Sequence, residues 1–194
     1  MRRAELARRV QQACYLEGDF LLRSGQRANF YFDKYLFEAD PQLLRAVAQL
    51  LVPLIPPGTE LLAGLELGGV PVATALSLLS GLPQVLVRKQ AKTYGTAKLA
   101  EGAPVSGRRL LVIEDVVTTG GQVVLSAQEL RDRGATVEEV LCVIDRRSAG
   151  SGEVDKLGLA RLRLLSLFEV DELLQARAAS QAAKGPLRAG GQVI

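Results

Sequence analysis

Hydrophobic and polar residues follow one another along the chain in blocks of two kinds. Short apolar runs rich in valine, isoleucine and leucine have the length and composition of buried strands. Between them, apolar residues recur at spacings of three and four, which predicts helices. Because the two kinds of block alternate, we predict an α/β fold with a mostly parallel central sheet, flanked by helices and joined by right-handed crossovers. The predicted strands are residues 60–63, 84–87, 109–113, 137–144 and 161–168, and the predicted helices are residues 70–79, 122–133 and 169–178.

The N-terminal part of the chain lies outside this alternation. Apolar spacing predicts a first helix over residues 2–16, and a loosely alternating aromatic segment at 29–35 predicts a strand. Asp40 followed by Pro41 is typical of a helix start, with proline at the first helical position. We predict one domain over residues 1–194, with an N-terminal helix and hood at 1–35, an α/β core at 36–178 and a frayed tail at 179–194.

Residues 110–122, LLVIEDVVTTGGQ, carry the clearest chemical signal. We predict a buried strand at 110–113, an acid pair, Glu114 and Asp115, at its end, and a turn at 116–121 that leads into a helix. The two glycines of the turn permit close backbone approach, and its threonines add hydroxyl donors. Free N–H groups and the helix dipole favour an anion, so this turn suits a phosphate.

The acid pair narrows the choice of phosphate compound. Carboxylates repel a phosphate, but they accept hydrogen bonds from sugar hydroxyls or help to hold a cation. A phosphate site beside acceptors for two neighbouring hydroxyls predicts a ribose 5-phosphate. The alternative is an ordinary turn between a strand and a helix, with two solvated acids.

Two further segments are predicted near the same edge of the sheet, where ligands of such folds bind. Residues 64–71, GLELGGVP, form a second glycine-rich turn, or simply allow a helix to pack closely on its strand. Residues 89–108 lack apolar periodicity and contain several lysines, which predicts a flexible cationic lid. Such a lid brings positive charge to a diphosphate leaving group. A solvated charged hairpin is the alternative.

Two groups of side chains suggest a site for a flat, acidic ligand. Phe30, Tyr31 and Phe32 are either core and filler residues of a strand or a wall over a heterocycle. Arg146 follows the predicted strand at 137–144. Its guanidinium either binds a ligand carboxylate as a bidentate fork or takes part in a surface salt bridge.

Composition excludes several function classes. Hydrophobic residues make up 48% of the 194 residues, as in a globular chain. The net charge of +3 gives no argument for nucleic acid, but residues 88–109 hold six basic residues and one acid, so positive charge is concentrated there. The chain contains no histidine, which excludes a Ser-His-Asp triad and histidine metal ligands.

The remaining sequence features concern the compartment. Cys14 and Cys142 lie far apart without metal or redox spacing, so we predict buried, reduced thiols. The first residues carry charge without an apolar run, and no stretch has the length of a membrane helix. We therefore expect a soluble cytoplasmic protein that binds neither nucleic acid nor membranes.

Residues 110–122 resemble the signature of the type I phosphoribosyltransferases, in which two acids and two apolar residues precede a threonine- and glycine-rich turn. Residues 20–32 (FLLRSGQRANFYF), residues 88–95 (RKQAKTYG) and the Asp145-Arg146 pair resemble segments of the orotate phosphoribosyltransferases. The resemblance covers roughly residues 18–178. It implies transfer of a 5-phosphoribosyl group from phosphoribosyl diphosphate (PRPP) to orotate, which gives orotidine 5′-phosphate and diphosphate in pyrimidine (UMP) biosynthesis.

The resemblance also implies roles for individual residues. The implied cofactor is Mg2+, held mainly through PRPP with no direct protein ligand. The family is generally homodimeric, with the lid of one subunit serving its neighbour's site. The implied catalytic residues are Lys92, Lys89 and Asp115, and the implied orotate contacts are Tyr31, Phe32, Thr118 and Arg146. The implied PRPP contacts are Arg23, Arg88, Lys89, Lys92, Tyr94, Glu114, Asp115, Val116, Val117, Thr118, Thr119, Gly120, Gly121 and Gln122.

Two positions depart from the family pattern. Tyr94 replaces the lid histidine of many relatives, and Gly68 stands where some relatives carry a lysine. The second departure removes a cation near the diphosphate, for which backbone N–H groups of residues 67–69 would partly substitute. A purine or uracil phosphoribosyltransferase and a PRPP-sensing regulator on the same fold are the alternatives.

Overall fold

A mixed β-sheet forms the centre of the molecule. The computed structural model describes residues 1–21, 25–89, 99–147 and 155–184, with side chains described as far as residue 178. The strands of this part of the chain are β1 (Tyr15–Leu21), β2 (Arg27–Phe32), β3 (Leu61–Leu65), β4 (Gln84–Val87), β5 (Ala100–Gly102), β6 (Arg109–Val117), β7 (Thr136–Asp145) and β8 (Arg163–Glu169).

The sheet has the order β5-β4-β3-β6-β7-β8. All its neighbouring strands are parallel except β5, which pairs antiparallel with β4. The predicted mostly parallel α/β fold is thus confirmed. Strands β1 and β2 form a separate antiparallel hairpin. The helices are α1 (Arg3–Cys14), α2 (Tyr35–Ala39), α3 (Pro41–Leu51), α4 (Gly69–Ser80), α5 (Gly121–Asp132), α6 (Lys156–Leu159) and α7 (Val170–Lys184), with a 3-10 turn at Val52–Leu54.

Both faces of the sheet are covered, which explains the unbroken apolar runs of its strands. Successive residues of β6 point to opposite faces. Leu111 and Ile113 therefore join the apolar cluster under α1, α3, α4 and α7, while Leu110 and Val112 join the one under α5. Cys14 and Cys142 are buried free thiols within these clusters, as predicted.

The predicted helix signals coincide with observed ends. The Asp40 side chain accepts hydrogen bonds from the N–H groups of Gln42 and Leu43, with Pro41 at the first helical position of α3. Gly81, with φ of 75°, terminates α4 in the left-handed conformation. No helix in the described part of the chain is both long and apolar enough to cross a bilayer.

Strand β6 is longer than predicted, and this moves the acid pair. We expected the strand to end at Ile113, with Glu114 and Asp115 beyond it. The ladder with β7 instead continues through Glu114, Val116 and Val117, so both acids lie within β6. The turn at its carboxyl end is correspondingly shorter than the predicted 116–121.

The predicted lid is also shorter on its C-terminal side. Leu99 is buried, and β5 pairs with β4, so the end of the segment is a hairpin strand rather than loop. Arg108 and Arg109 lie at the amino end of β6, where they pair with Glu60 and Glu138, away from the predicted lid. Residues 90–98, the central part of the predicted lid, lie outside the described residues.

The two ends of the chain differ from the prediction in extent. Helix α7 continues to Lys184, past the predicted end at residue 178, so the first residues of the predicted frayed tail are helical. Residues 185–194 lie outside the described part. At the other end, β1 and β2 form an antiparallel hairpin within residues 1–35, the segment predicted as helix and hood, and Phe30 is 44% exposed rather than a core residue.

Candidate active site

The turn between β6 and α5 presents an anion-binding surface. Thr118 and Thr119 are exposed, and Gly120, with φ of 70°, reverses the chain into the helix. A side chain at Gly120 would also crowd Leu157, since its Cβ would lie 3.0 Å from Leu157 Cγ. Within the part of the chain that the structure describes, no side chain caps the amino end of α5, so the first N–H groups of this helix are available to a ligand. The turn therefore has the donors and the dipole that favour a phosphate.

The acid pair is buried in this structure. Glu114 is 9% exposed and Asp115 is fully buried. Oε1 of Glu114 accepts a hydrogen bond from the N–H of Asp115 at 3.0 Å, and Oδ1 of Asp115 accepts one from the N–H of Val116 at 2.6 Å. Each of the two carboxyl groups thus accepts a hydrogen bond from a backbone N–H group of β6 itself.

Two residues that we did not predict complete this acidic cluster. Nζ of Lys34 lies 2.6 Å from Oδ2 of Asp115, and the carboxyl group of Glu38 lies beside the same aspartate. Lys34 immediately precedes α2 and Glu38 lies within it, so the segment after the hood delivers both. A single lysine and a single glutamate in a short helical turn have no pattern that marks them in the sequence.

The charges of this cluster are unevenly shared. Burial, with the hydrogen bond and charge of Asp115, raises the pKa of Glu114 well above its usual value and that of Glu38 to about 9. Burial also opposes ionisation of Asp115, but hydrogen bonds with Glu114 and Lys34 outweigh it and lower the pKa of Asp115. Burial disfavours the charged form of Lys34 as well, yet Asp115 keeps its pKa raised. The cluster thus favours a proton on Glu114 and Glu38, and charge on Asp115 and Lys34.

The space beside Gly68 explains why a glycine fits there. A Cβ on Gly68 would overlap the carboxylate of Asp115 and lie 2.8 Å from Oε1 of Glu38. The volume that a side chain at residue 68 would need is therefore filled by Asp115. The sequence predicts that a cation is missing at residue 68, and in the structure the ammonium of Lys34 pairs with the carboxylate that fills this space.

An open cavity of about 370 Å³ adjoins the acidic cluster. The four residues implied as orotate contacts, Tyr31, Phe32, Thr118 and Arg146, line it together, although they come from three distant parts of the chain. Aromatic rings of β1 pack against those of β2. The ring of Tyr15 stacks on Phe30 and that of Phe20 contacts Tyr31, with ring centroids 5.2 Å and 5.6 Å apart. The lining residues that sequence analysis misses are Ala28 and Lys34, and Phe30 lines the cavity in agreement with the second of its two alternatives, a wall over a heterocycle.

The structure distinguishes the two arginines that follow β7. Arg147 is tied to Asp145, with its Nε 3.0 Å from Oδ1 and its Nη2 2.7 Å from Oδ2. Arg146 lines the cavity, and its side chain forms no hydrogen bond or ion pair with the residues that the structure describes. Its guanidinium is thus available to an anionic ligand, which favours the ligand-binding alternative over the surface salt bridge.

The N-terminal start of the predicted lid contacts the glycine-rich segment after β3 and strand β5. The backbone N–H of Lys89 donates to Oε1 of Glu66 at 2.7 Å, and Nε of Arg88 lies 3.8 Å from Oε1 of Glu101. Glu66 belongs to the glycine-rich segment after β3, so the start of the lid and this turn meet at the carboxyl edge of the sheet. Arg23, Lys92 and Tyr94 lie outside the described residues.

Magnesium, implied by the resemblance, fits this site as a ligand of the substrate. Among the described residues, no group of three or more acidic, cysteine or histidine side chains has the arrangement of a metal site. Oδ2 of Asp115 already faces the ammonium of Lys34 at 2.6 Å, which disfavours a second cation on that atom. A metal held mainly by diphosphate oxygens and water is compatible with this donor set.

Comparison with known proteins gives consistent similarities. The chain is 54% identical to an orotate phosphoribosyltransferase of a Nocardioides species, over 90% of this chain and 98% of that protein. It is 42% identical to an orotate phosphoribosyltransferase of Methanocella arvoryzae, over 81% of this chain and 88% of the relative. No family model matches the chain.

A solved structure shares the fold as well as the sequence. The crystal structure of Mycobacterium tuberculosis orotate phosphoribosyltransferase in complex with PRPP superposes with a TM-score of 0.73 at 30% identity. The similarity covers 88% of this chain and 98% of the crystallised one.

Proposed function

This chain belongs to the orotate phosphoribosyltransferases, and we propose that it transfers the 5-phosphoribosyl group of PRPP to orotate, with orotidine 5′-phosphate and diphosphate as products. It would thus act as a pentosyltransferase in the formation of UMP. One geometric observation supports this assignment most strongly. The anion-binding turn, the acid pair and the aromatic cavity meet at the carboxyl end of β6, and the Arg146 guanidinium in this cavity forms no ion pair with the described residues.

The phosphate and sugar of PRPP would bind along the end of β6 and the start of α5. The amides of the turn would receive the 5-phosphate, because that is where unpaired N–H groups and the helix dipole converge. The ribose hydroxyls would be accepted by the acid pair. The residues proposed for this part of PRPP are Glu114, Asp115, Val116, Val117, Thr118, Thr119, Gly120, Gly121 and Gln122.

The diphosphate of PRPP would be bound by basic residues of the lid and hood. Positive charge that closes over the leaving group stabilises the negative charge that develops as the bond breaks. Closure would also exclude water, which otherwise competes with the base for the reacting ribose carbon. The proposed diphosphate contacts are Arg88, Lys89 and Lys92, and Arg23 and Tyr94 are proposed as further contacts of PRPP.

Orotate would occupy the cavity between the hood and the end of β6. Tyr31 and Phe32 would flank its ring, Thr118 would donate or accept a hydrogen bond, and Arg146 would bind its carboxylate. This placement puts the base next to the sugar, because Thr118 belongs both to the turn and to the cavity lining.

The reaction requires one bond to break and one to form at the anomeric carbon of ribose. The bond to the diphosphate oxygen breaks, carrying its electron pair to the leaving group, and a ring nitrogen of orotate forms the new bond. The reacting ring N–H of orotate gives its proton to water, and the resulting negative charge is delocalised over the ring, so no strong protein base is required. Lys89 and Lys92 would stabilise the departing diphosphate, and Asp115 would hold the sugar as positive charge develops on it. Magnesium, when bound through PRPP, would neutralise part of the diphosphate charge.

Three features remain predictions from the sequence and its resemblance. These are the homodimer with a lid shared across the interface, the cytoplasmic location, and the single domain over residues 1–194. Sedimentation analysis tests the first of them, with a dimer as the expected species.

The direct test of the activity is the loss of orotate absorbance by purified protein with PRPP and magnesium. We expect turnover with orotate and none with adenine or uracil in parallel assays. Turnover of adenine or uracil alone would indicate another base-specific phosphoribosyltransferase. Tight PRPP binding without consumption of any base would indicate a regulator, and either result would overturn the assignment.

A further inference from the structure

Lys34 occupies a position between the sugar site and the base cavity. Its ammonium lies 2.6 Å from Oδ2 of Asp115, and its side chain also lines the cavity with Thr118 and Arg146. The side chain is 33% exposed, whereas that of Asp115 is fully buried. Lys34 therefore lies both against the buried aspartate and at the wall of the open cavity.

Both oxygens of Asp115 are engaged, one by backbone and one by Lys34. Oδ1 accepts the N–H of Val116, and Oδ2 faces the ammonium. In the described part of the chain, no second lysine or arginine forms an ion pair with Asp115 or Glu114. The charge of this buried carboxylate is thus balanced by Lys34.

We propose that Lys34 is a positioning residue, which holds Asp115 charged and in place in the free enzyme and yields Oδ2 to the ribose hydroxyls when PRPP binds. This inference rests on the proposed function, because it assigns the hydroxyls of PRPP to Asp115.

The acidic cluster explains why this role needs a cation. Asp115 lies against Glu114 on its own strand and Glu38 on α2, so three carboxyl groups share one buried site. Without the ammonium, burial favours the protonated form of Asp115, and only the hydrogen bonds with Glu114 and Glu38 still oppose this effect. A protonated carboxyl group is a poorer acceptor for two sugar hydroxyls than a carboxylate. Loss of Lys34 should therefore weaken the sugar contact, and because Lys34 also lines the base cavity, the KM for orotate is measured beside that for PRPP.

The test compares Lys34→Met and Lys34→Gln with Lys34→Arg, which keeps the charge. Arg45→Met is the matched control, because it removes one positive charge from the exposed face of α3. We expect kcat/KM for PRPP at neutral pH to fall about tenfold or more in Lys34→Met and Lys34→Gln, and to stay within about threefold in Lys34→Arg and Arg45→Met.

A pH profile separates positioning from a merely structural role. In Lys34→Met, the PRPP affinity measured by calorimetry should recover as pH rises, because alkali restores the charge of Asp115 that the missing ammonium no longer favours. The groups that titrate near it are Glu114 and Glu38, so both Lys34→Met and wild type are measured over the same pH range. If Lys34→Met fails to fold, Lys34→Gln carries the comparison, since it keeps a hydrogen-bond donor of similar length.

The outcomes distinguish this inference from the proposed function. An inactive wild type would overturn the function itself. An active wild type with unchanged PRPP affinity and pH profile in Lys34→Met and Lys34→Gln would overturn only the role of Lys34. Tighter PRPP binding in these variants would also overturn it, because Lys34 would then merely compete with the substrate.

Discussion

Asp115 places its carboxylate in the space that Gly68 leaves by having no side chain. A Cβ at residue 68 would overlap that carboxylate, although the backbone there, with φ of −73° and ψ of −28°, suits any residue. The glycine is therefore required by the neighbouring aspartate and not by local backbone conformation. This contact links the turn after β3 to the acid pair of β6.

Substitution of Gly68 by alanine should displace Asp115. The added methyl group forces the carboxylate away from Lys34, so we expect a loss of about 1–3 kcal/mol in the free energy of unfolding and about a tenfold lower kcat/KM for PRPP. Urea denaturation and initial rates measure the two effects. Leu78→Ala, at an exposed position of α4, is the control and should change stability by less than about 0.5 kcal/mol.

A double-mutant cycle extends this prediction. If Gly68→Ala acts by breaking the Lys34–Asp115 pair, its effect on kcat/KM should largely disappear in a Lys34→Met background. Full additivity of the two effects would show that the alanine acts elsewhere.

Glu38 should make stability depend on pH. Its pKa rises from the usual 4.5 to about 9 on folding, chiefly by burial and then through Asp115. Between these values the folded protein retains a proton that the unfolded chain has released, so this group lowers stability as pH rises toward about 9. Glu38→Gln removes the titration, and its stability relative to wild type should increase across that range. Urea denaturation at several pH values measures the slope.

Glu60→Gln is the control for this pH series. Hydrogen bonds from the Arg109 backbone and the Arg108 side chain lower the pKa of Glu60, so its contribution is present above its unfolded pKa and is lost only at acid pH. Its difference from wild type should therefore be constant from neutral to alkaline pH. A flat difference for Glu38→Gln as well would show that Glu38 is ionised in the folded protein.

The two adjacent arginines should differ in their effect on orotate. Arg146→Gln removes the guanidinium that lines the cavity, and a charge-assisted contact of about 1.5–3 kcal/mol corresponds to roughly a tenfold to hundredfold rise in the KM for orotate. Arg147→Gln breaks the pair with Asp145 and should leave the KM for orotate nearly unchanged while lowering stability. Steady-state kinetics with varied orotate compare them, and a larger orotate effect at Arg147 would contradict the site.

The lysines of the predicted lid provide a test of the proposed diphosphate contacts, since Lys92 lies outside the described residues and its role rests on the sequence alone. We expect Lys92→Ala to lower kcat by about 100-fold, while PRPP affinity weakens much less, because its charge acts mainly on the leaving diphosphate. Lys98→Ala, in the same segment but outside the proposed contacts, is the matched control. Equal kcat values for Lys92→Ala and wild type would remove Lys92 from the catalytic residues.

Local signals in the sequence were sufficient for the framework of the fold. The Asp40-Pro41 start of α3, the glycine end of α4 and the apolar run of β6 each depend on neighbours in sequence, and the structure bears them out. The residues implied for orotate also meet in one cavity. The sequence motifs were sufficient to predict these residues, because each one either follows the end of a strand or lies in the N-terminal hairpin.

The errors arise where distant contacts decide the outcome. Strand β6 ends where its pairing with β7 ends, at Val117 opposite Asp145. The two acids within β6 gave no sign in the sequence that the strand continues through them. The hairpin of β4 and β5 depends on the burial of Leu99 within an otherwise polar segment. Lys34 and Glu38 were missed because their role follows from the position of Asp115, which only the folded chain specifies.

The most direct test of the proposed site is a crystal structure of the protein with PRPP and magnesium. We predict that the 5-phosphate lies on the amides between Thr118 and Gly121, and that the ribose hydroxyls lie within hydrogen-bonding distance of Glu114 or Asp115. PRPP bound elsewhere, or a crevice that stays closed by Lys34 and Asp115 at saturating PRPP, would contradict the account.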